Sequence, residues 1–173
     1  MVAVFNALHR ATGRPTLLEL SEMLSTVRQP GIAVLQSYCN GWGDTLARDW
    51  PDDAVWPFFA HNLDMLIQYL KQGATGSYWF DRTGLFRAVE TFPVPPERVV
   101  STLFELAFGT GKTDRPFAQE ALAKLPGKEV RIVAALEDGK AEVRWVAAQW
   151  LGRLCHALTQ AALEQAVVKE KND

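Results

Sequence analysis

Three stretches of the chain carry one pattern, and their repetition restricts the fold more than any other feature. DRTGLFRAVETFP (81–93) and DRPFAQEALAKLP (114–126) both open Asp-Arg and both close on proline, Pro93 and Pro126. Leu85, Ala88, Val89 and Phe92 in the first match Ala118, Ala121, Leu122 and Leu125 in the second. VRWVAAQWLGRL (143–154) keeps the offsets with Ala147, Trp150, Leu151 and Leu154. Arg82, Arg115 and Arg144 mark the register, at steps of 33 and 29 residues. Apolar residues at helical spacing, repeated at such a period, predict a helical solenoid. PPERVVSTLFELAF precedes the second copy and KEVRIVAALED (128–138) the third, so the repeating unit is helix A, a short turn and helix B. In the third unit Val143, Val146, Ala147, Trp150, Leu151 and Leu154 form a stripe wider than a coiled-coil seam. One hairpin cannot bury both of its faces, so neighbours must stack. The expected fold is all-α: a right-handed α-α superhelix of stacked antiparallel helix pairs.

The run from Leu136 and Asp138 through Val143-Arg144, Ala147-Ala148, Leu151-Gly152 and Leu154 resembles a HEAT repeat. That resemblance implies a HEAT-like helical-repeat solenoid, with Asp138 in the turn pairing with Arg144 in helix B. The other units depart from it: Gly109 and Gly76 stand six residues before Arg115 and Arg82, so a ladder of such pairs would be incomplete, and Asp81 and Asp114 read as helix caps. WPDDAVWPFFAHN (50–62), YWFDRTGLFRAVETFP (78–93), GTGKTDRPFAQEALAKLPG (109–127) and EDGKAEVRWVAAQWLGRL (137–154) together resemble the helical-repeat region of large bacterial proteins named molybdate-metabolism regulators, some of which carry a WGR domain. The resemblance covers about the last two-thirds of the chain. It implies a module of a longer bacterial regulatory protein. No WGR-type segment and no recognisable molybdate ligand set is visible.

Residues 1–50 read as an irregular helical N-terminal part, and 51–173 as two to three helix-pair repeats continuous with it in one domain. TLLELSEMLSTVR (16–28) reads as one amphipathic helix stopped by Gln29-Pro30-Gly31. Residues 32–48 read as another, broken near 40–43 with Asp44 capping its second half. Pro51-Asp52-Asp53 starts a long helix through about Lys71, and KQGATGSYW (71–79) is the longest polar loop and the best candidate for mobility. The tail ALTQAALEQAVVKEKND reads as a further helix A whose helix B is due next, which favours a piece of a larger protein.

GTGKTDRP (109–116) imitates a phosphate-binding loop, but the spacing fails: the first glycine of G-x-x-x-x-G-K-[ST] would stand where Leu106 stands. The stretch also joins helix to helix, whereas a phosphate loop follows a strand. It reads as a helix stop, with positive φ at Gly109 and Gly111, Thr113 or Asp114 capping the next helix, and Pro116 in its first turn. His9, His61 and His156 share no i, i+4 face with one another or with a cysteine, and the side chains of adjacent Cys155 and His156 diverge. No zinc site, other metal or cofactor is expected. Asp52-Asp53 could be a carboxylate pair, but helix N-capping beside Pro51 explains it better. Cys39 and Cys155 form no disulfide framework, which suits a reducing compartment. No apolar run reaches the roughly 18 residues of a spanning helix. The expected location is cytoplasmic, with no membrane partner.

The 18 Lys+Arg nearly balance 20 Asp+Glu, so there is no overall field to hold an anionic polymer. Two function classes follow. The first is a non-catalytic scaffold that binds proteins, or other domains of a longer chain, in the groove made by stacked B helices. The second is nucleic-acid binding by Lys and Arg on the concave face, as in the alkylpurine DNA glycosylases; Arg82, Arg115, Arg144, Arg87, Lys124 and Arg153 would suit it. Glu90, Glu105, Glu120 and Glu142 on the same helices weigh against it. An enzyme ranks third. The candidate interaction surface is Arg82, Arg115, Arg144 and Trp145. Trp150 falls on the core stripe; Trp145 falls off it, fitting either an interface anchor or packing between repeats.

Overall fold

The computed structural model describes residues 15–24, 30–39, 50–72, 82–154 and 157–170. Among them there is no strand, and no helix is long and apolar enough to cross a membrane. The fold is all-α. The helices are α1 (Leu17–Met23), α2 (Pro30–Tyr38), α3 (Asp52–His61), α4 (Leu63–Gln72), α5 (Arg82–Glu90), α6 (Glu97–Phe108), α7 (Asp114–Ala121), α8 (Lys128–Ala134), α9 (Ala141–Leu154) and α10 (Ala157–Glu170). A 3-10 turn, Ala135–Glu137, joins α8 to α9. The chain divides into two compact units. The first takes in residues up to 107 together with 112–124; the second holds 108–111 and the residues from 125 on.

In the first unit, α1 begins with a capping box. The Glu19 N–H donates to Thr16 Oγ1 at 3.2 Å, and the Thr16 N–H donates to Glu19 Oε2 at 2.7 Å. Those bonds hold the Glu19 carboxyl below its ordinary pKa. Pro30 opens α2, where its missing N–H costs nothing, instead of serving as the stop expected for α1. The single long helix expected from 51 to 71 is two helices. Asn62 leaves helical geometry (φ −112°, ψ 39°), and its Nδ2 donates to the Phe58 carbonyl at 2.9 Å. A short amide that bonds its own helix backbone competes with continuing that helix. Pro57, inside α3, removes one further ladder bond.

The core of this unit is built from Leu17, Leu20, Leu35, Val55, Phe58, Phe59, Leu66, Leu70, Leu85, Phe86 and Val89, all essentially solvent-free. Phe59 meets Tyr38 and Phe58 edge to face, with ring centroids 5.4 and 5.0 Å apart. α5 packs on α3, α4 and, most extensively, α7. Gly84 permits the approach of α5 to the end of α2: a Cβ there would stand 2.9 Å from the Cys39 Cα. Gln119 on α7 donates to the Ala107 carbonyl at 3.2 Å, serving one of the unpaired carbonyls at the end of α6.

In the second unit α9 packs against α8, the 3-10 turn and α10. Ile132, Leu136, Val146, Ala147, Trp150 and Leu151 make the core, and Phe108 meets Trp150 with centroids 5.7 Å apart. Among the described residues positive φ falls on Gly127 (71°), which leads into α8, and not on Gly109 or Gly111. Residues 109–113 do join helix to helix, between α6 and α7. Thr113 occupies the cap position of α7 without a side-chain cap bond. The expectations for Asp44, Asp81, Trp42, Trp79, Cys155, His9, His156 and most of the 71–79 loop lie outside the described residues.

Candidate functional site

Three of the four matched positions are buried alike in the three copies; at the fourth, Phe92 is buried while Leu125 and Leu154 are half-buried. Leu85, Ala88 and Val89 on α5, Ala118, Ala121 and Leu122 at α7, and Ala147, Trp150 and Leu151 on α9 are all at most 4% exposed. The outward sides of these helices differ, and the candidate residues lie there.

Arg82 is drawn into an ion pair with Asp114, both side chains largely covered. Asp114 therefore acts through a tertiary contact with α5, not as the helix cap expected from its position. Arg115, next to it, is half-buried. Neither arginine projects as an isolated charge. In the other unit Arg144 Nη1 donates to the carbonyls of Asp138 (3.0 Å) and Gly139 (3.4 Å). The Asp138 carboxylate accepts from the Lys140 N–H at 2.8 Å. Asp138 and Arg144 thus meet through the turn's backbone: the arginine clamps the loop that the aspartate shapes.

Trp145 is 56% exposed. It and Arg144 line an apolar groove of about 530 Å³ in the second unit. Helix α9 contributes Ala141, Arg144, Trp145 and Ala148, at i, i+3, i+4 and i+7, so one helical face forms one wall. Helix α10 contributes Leu163, Ala166 and Val167, and Leu136 comes from the 3-10 turn. The alanines keep the floor low, while Trp145 and Val167 stand on the rim with more than half their surface in solvent. Sequence reading found Arg144 and Trp145 but missed the rest. The signal was present as the Ala141, Trp145, Ala148 row, hidden because alanines on a helix exterior look like solvated filler.

A second depression lies in the first unit, about 340 Å³ and polar, lined by Tyr38, Asp52, Arg87, Glu90, Glu120 and Lys124 among others. Burial, followed by the nearby Glu120 charge, raises the Glu90 pKa above its ordinary value. Burial likewise raises that of the Tyr38 phenol. Lys124 Nζ donates to the Glu90 carbonyl at 2.6 Å and lies 3.8 Å from the Asp52 carboxylate. The cation ties the end of α5 to the start of α3, which explains Asp52 as a structural charge and Lys124 as a helix C-terminal ligand. Among the described residues no group of three His, Cys, Asp or Glu side chains could hold a metal ion.

No protein-family model, curated protein or solved structure matches the chain.

Proposed function

We propose that the chain is a non-catalytic interaction module: a HEAT-like superhelix of stacked helix pairs, belonging to a larger bacterial regulatory protein of the molybdate-metabolism-regulator kind that its motifs resemble. The matched burial of the three copies supports the repeat. The observation that carries the function is the groove between α9 and α10, with Trp145 exposed on its edge. Indole is the side chain most often found anchoring a protein interface, and leaving it in water in a free domain costs apolar burial that a partner would recover. The occupant is a helix of a protein partner or neighbouring domain. Two helices flanking a floor of alanines leave a channel into which a third helix can set its ridge.

Two of the arginines named for nucleic-acid binding favour the protein-binding reading: Arg82 pairs with Asp114, and Arg144 bonds the turn carbonyls. Panning a display library of random-sequence helical peptides on the chain tests the proposal. Helices are expected that bind the chain and lose at least about tenfold in affinity on its Trp145→Ala variant, a loss of roughly 1.4 kcal/mol. Recovery of no Trp145-dependent helix, or steeply salt-dependent capture of DNA in its place, would sink the reading.

A further inference from the structure

The polar depression of the first unit holds groups that the packing does not use. Lys124 is committed there: its Nζ bonds the Glu90 and Phe92 carbonyls and lies 3.8 Å from the Asp52 carboxylate. The carboxylates of Glu90 and Glu120 remain, and among the described residues neither forms a salt bridge. Tyr38 lines the same wall and is only 2% exposed. Apart from Cys39 beside it, the charges that bear on its phenol are those of Arg87, Asp52 and Glu90, all lining the depression, so the hydroxyl end faces the opening. Among the described residues that hydroxyl has no hydrogen-bond partner. Ala121, Ala123 and the Trp50 indole supply the apolar part of the wall.

We propose that this depression binds a small primary amine, with its ammonium held by the Glu90 and Glu120 carboxylates and the Tyr38 hydroxyl oxygen, and its short apolar body against Ala121, Ala123 and Trp50. The site belongs to the first unit and is independent of the docking function proposed for the second. Its volume of about 340 Å³ is at the low end of the roughly 300–1,000 Å³ of small-ligand pockets. An ammonium has three N–H donors, matching two carboxylates and one neutral hydroxyl oxygen. The sign of the ligand follows from Glu90. Burial and the Glu120 charge raise its pKa even with Arg87 and Lys124 acting the other way, so a further positive charge is favourable beside it. A divalent metal suits the wall less well. It draws its oxygens to about 2.0–2.6 Å, whereas an ammonium reaches acceptors about 2.8 Å away, and among the described residues no three acids could hold a metal ion.

Titration of the isotope-labelled full chain with n-butylammonium near neutral pH and at low salt, followed by amide chemical shifts, tests the proposal. Saturable shifts are expected at 87–91 and 120–124, with a Kd on the order of 1 mM. Glu90→Gln removes the charge at nearly constant shape and should weaken binding at least about tenfold. N,N,N-trimethylbutylammonium keeps the charge but has no N–H, so it should bind several-fold more weakly. Tyr38→Phe keeps the ring that packs on Phe59 and should narrow that preference, which a purely structural role for the tyrosine would not do. Nα-acetyllysine amide carries the same ammonium on a larger body and should bind less well than butylammonium. Tighter binding of it would assign the site to a protein lysine and overturn the small-amine reading. Absence of saturable shifts, shifts confined to other segments, equal binding by Glu90→Gln or equal binding of butyrate would also overturn it.

Discussion

Helix α5 in the first unit and α9 in the second both bury an inward apolar face, but their outward faces are finished differently. In the first, the outward face of α5 is covered by α7, with a salt link at one end and stacked phenyl rings at the other. In the second, the register-equivalent face of α9 is a groove edged by an exposed tryptophan. Exposed bulky apolar side chains follow the same division. Val130, Trp145, Val167 and Val168 belong to the second unit, against Met23 and Val94 in the larger first one. Of these, Trp145 and Val167 lie together on the groove, and a contiguous exposed apolar patch marks an interaction surface more often than an isolated residue does. Under the proposed docking function, binding belongs to the open face of α9 and stability to the covered face of α5.

Substitutions at paired positions separate those roles. The largest loss should come from Phe86→Ala, which removes a solvent-free ring and its stacking partner; urea unfolding is expected to show about 3–5 kcal/mol of destabilisation. Trp150→Ala, on the inward side of α9, should cost a similar amount, and a near-zero effect there would break the register. Gly84→Ala should cost about 1–3 kcal/mol, because its Cβ meets backbone, not a side chain that can swing away. Glu90 gives a directional test. Its folded pKa is raised above the ordinary value near 4.5, so its contribution to stability is present below that pH and is lost as pH rises through the folded value. Glu90→Gln should therefore unfold at a higher urea midpoint than the wild type at pH 7, with the gap closing below about pH 4.5. The smallest effect belongs to Trp145→Ala, expected within about 0.5 kcal/mol of wild-type stability while peptide binding is lost.

The inward faces of α5, α7 and α9 were legible in the sequence, since apolar spacing alone placed Ala88, Ala118, Trp150 and Leu151 in the core and Trp145 outside it. What escaped depended on contacts distant in sequence or on residues with two uses. Asp114 at a helix start looks the same whether it caps that helix or reaches an arginine 32 residues away. Pro30 can end one helix or begin the next. Asn62 breaks the 51–71 segment through a bond to Phe58, although asparagine is also tolerated inside helices. The groove itself depends on where α10 lies, and the tail's composition carries little directional pattern: Leu163, Ala166 and Val167 read as an ordinary helix face.

Thiol labelling under native conditions compares the two equivalent faces directly. In a chain with Cys155→Ser, a cysteine is placed in turn at Phe86 and at Ala148, with buried Cys39 as the common background. Ala148→Cys, half-buried at the groove, should be alkylated much faster than Phe86→Cys, which should react only as fast as the protein opens. Equal protection at both positions, or equal reactivity, would contradict a shared register that is closed in one unit and open in the other.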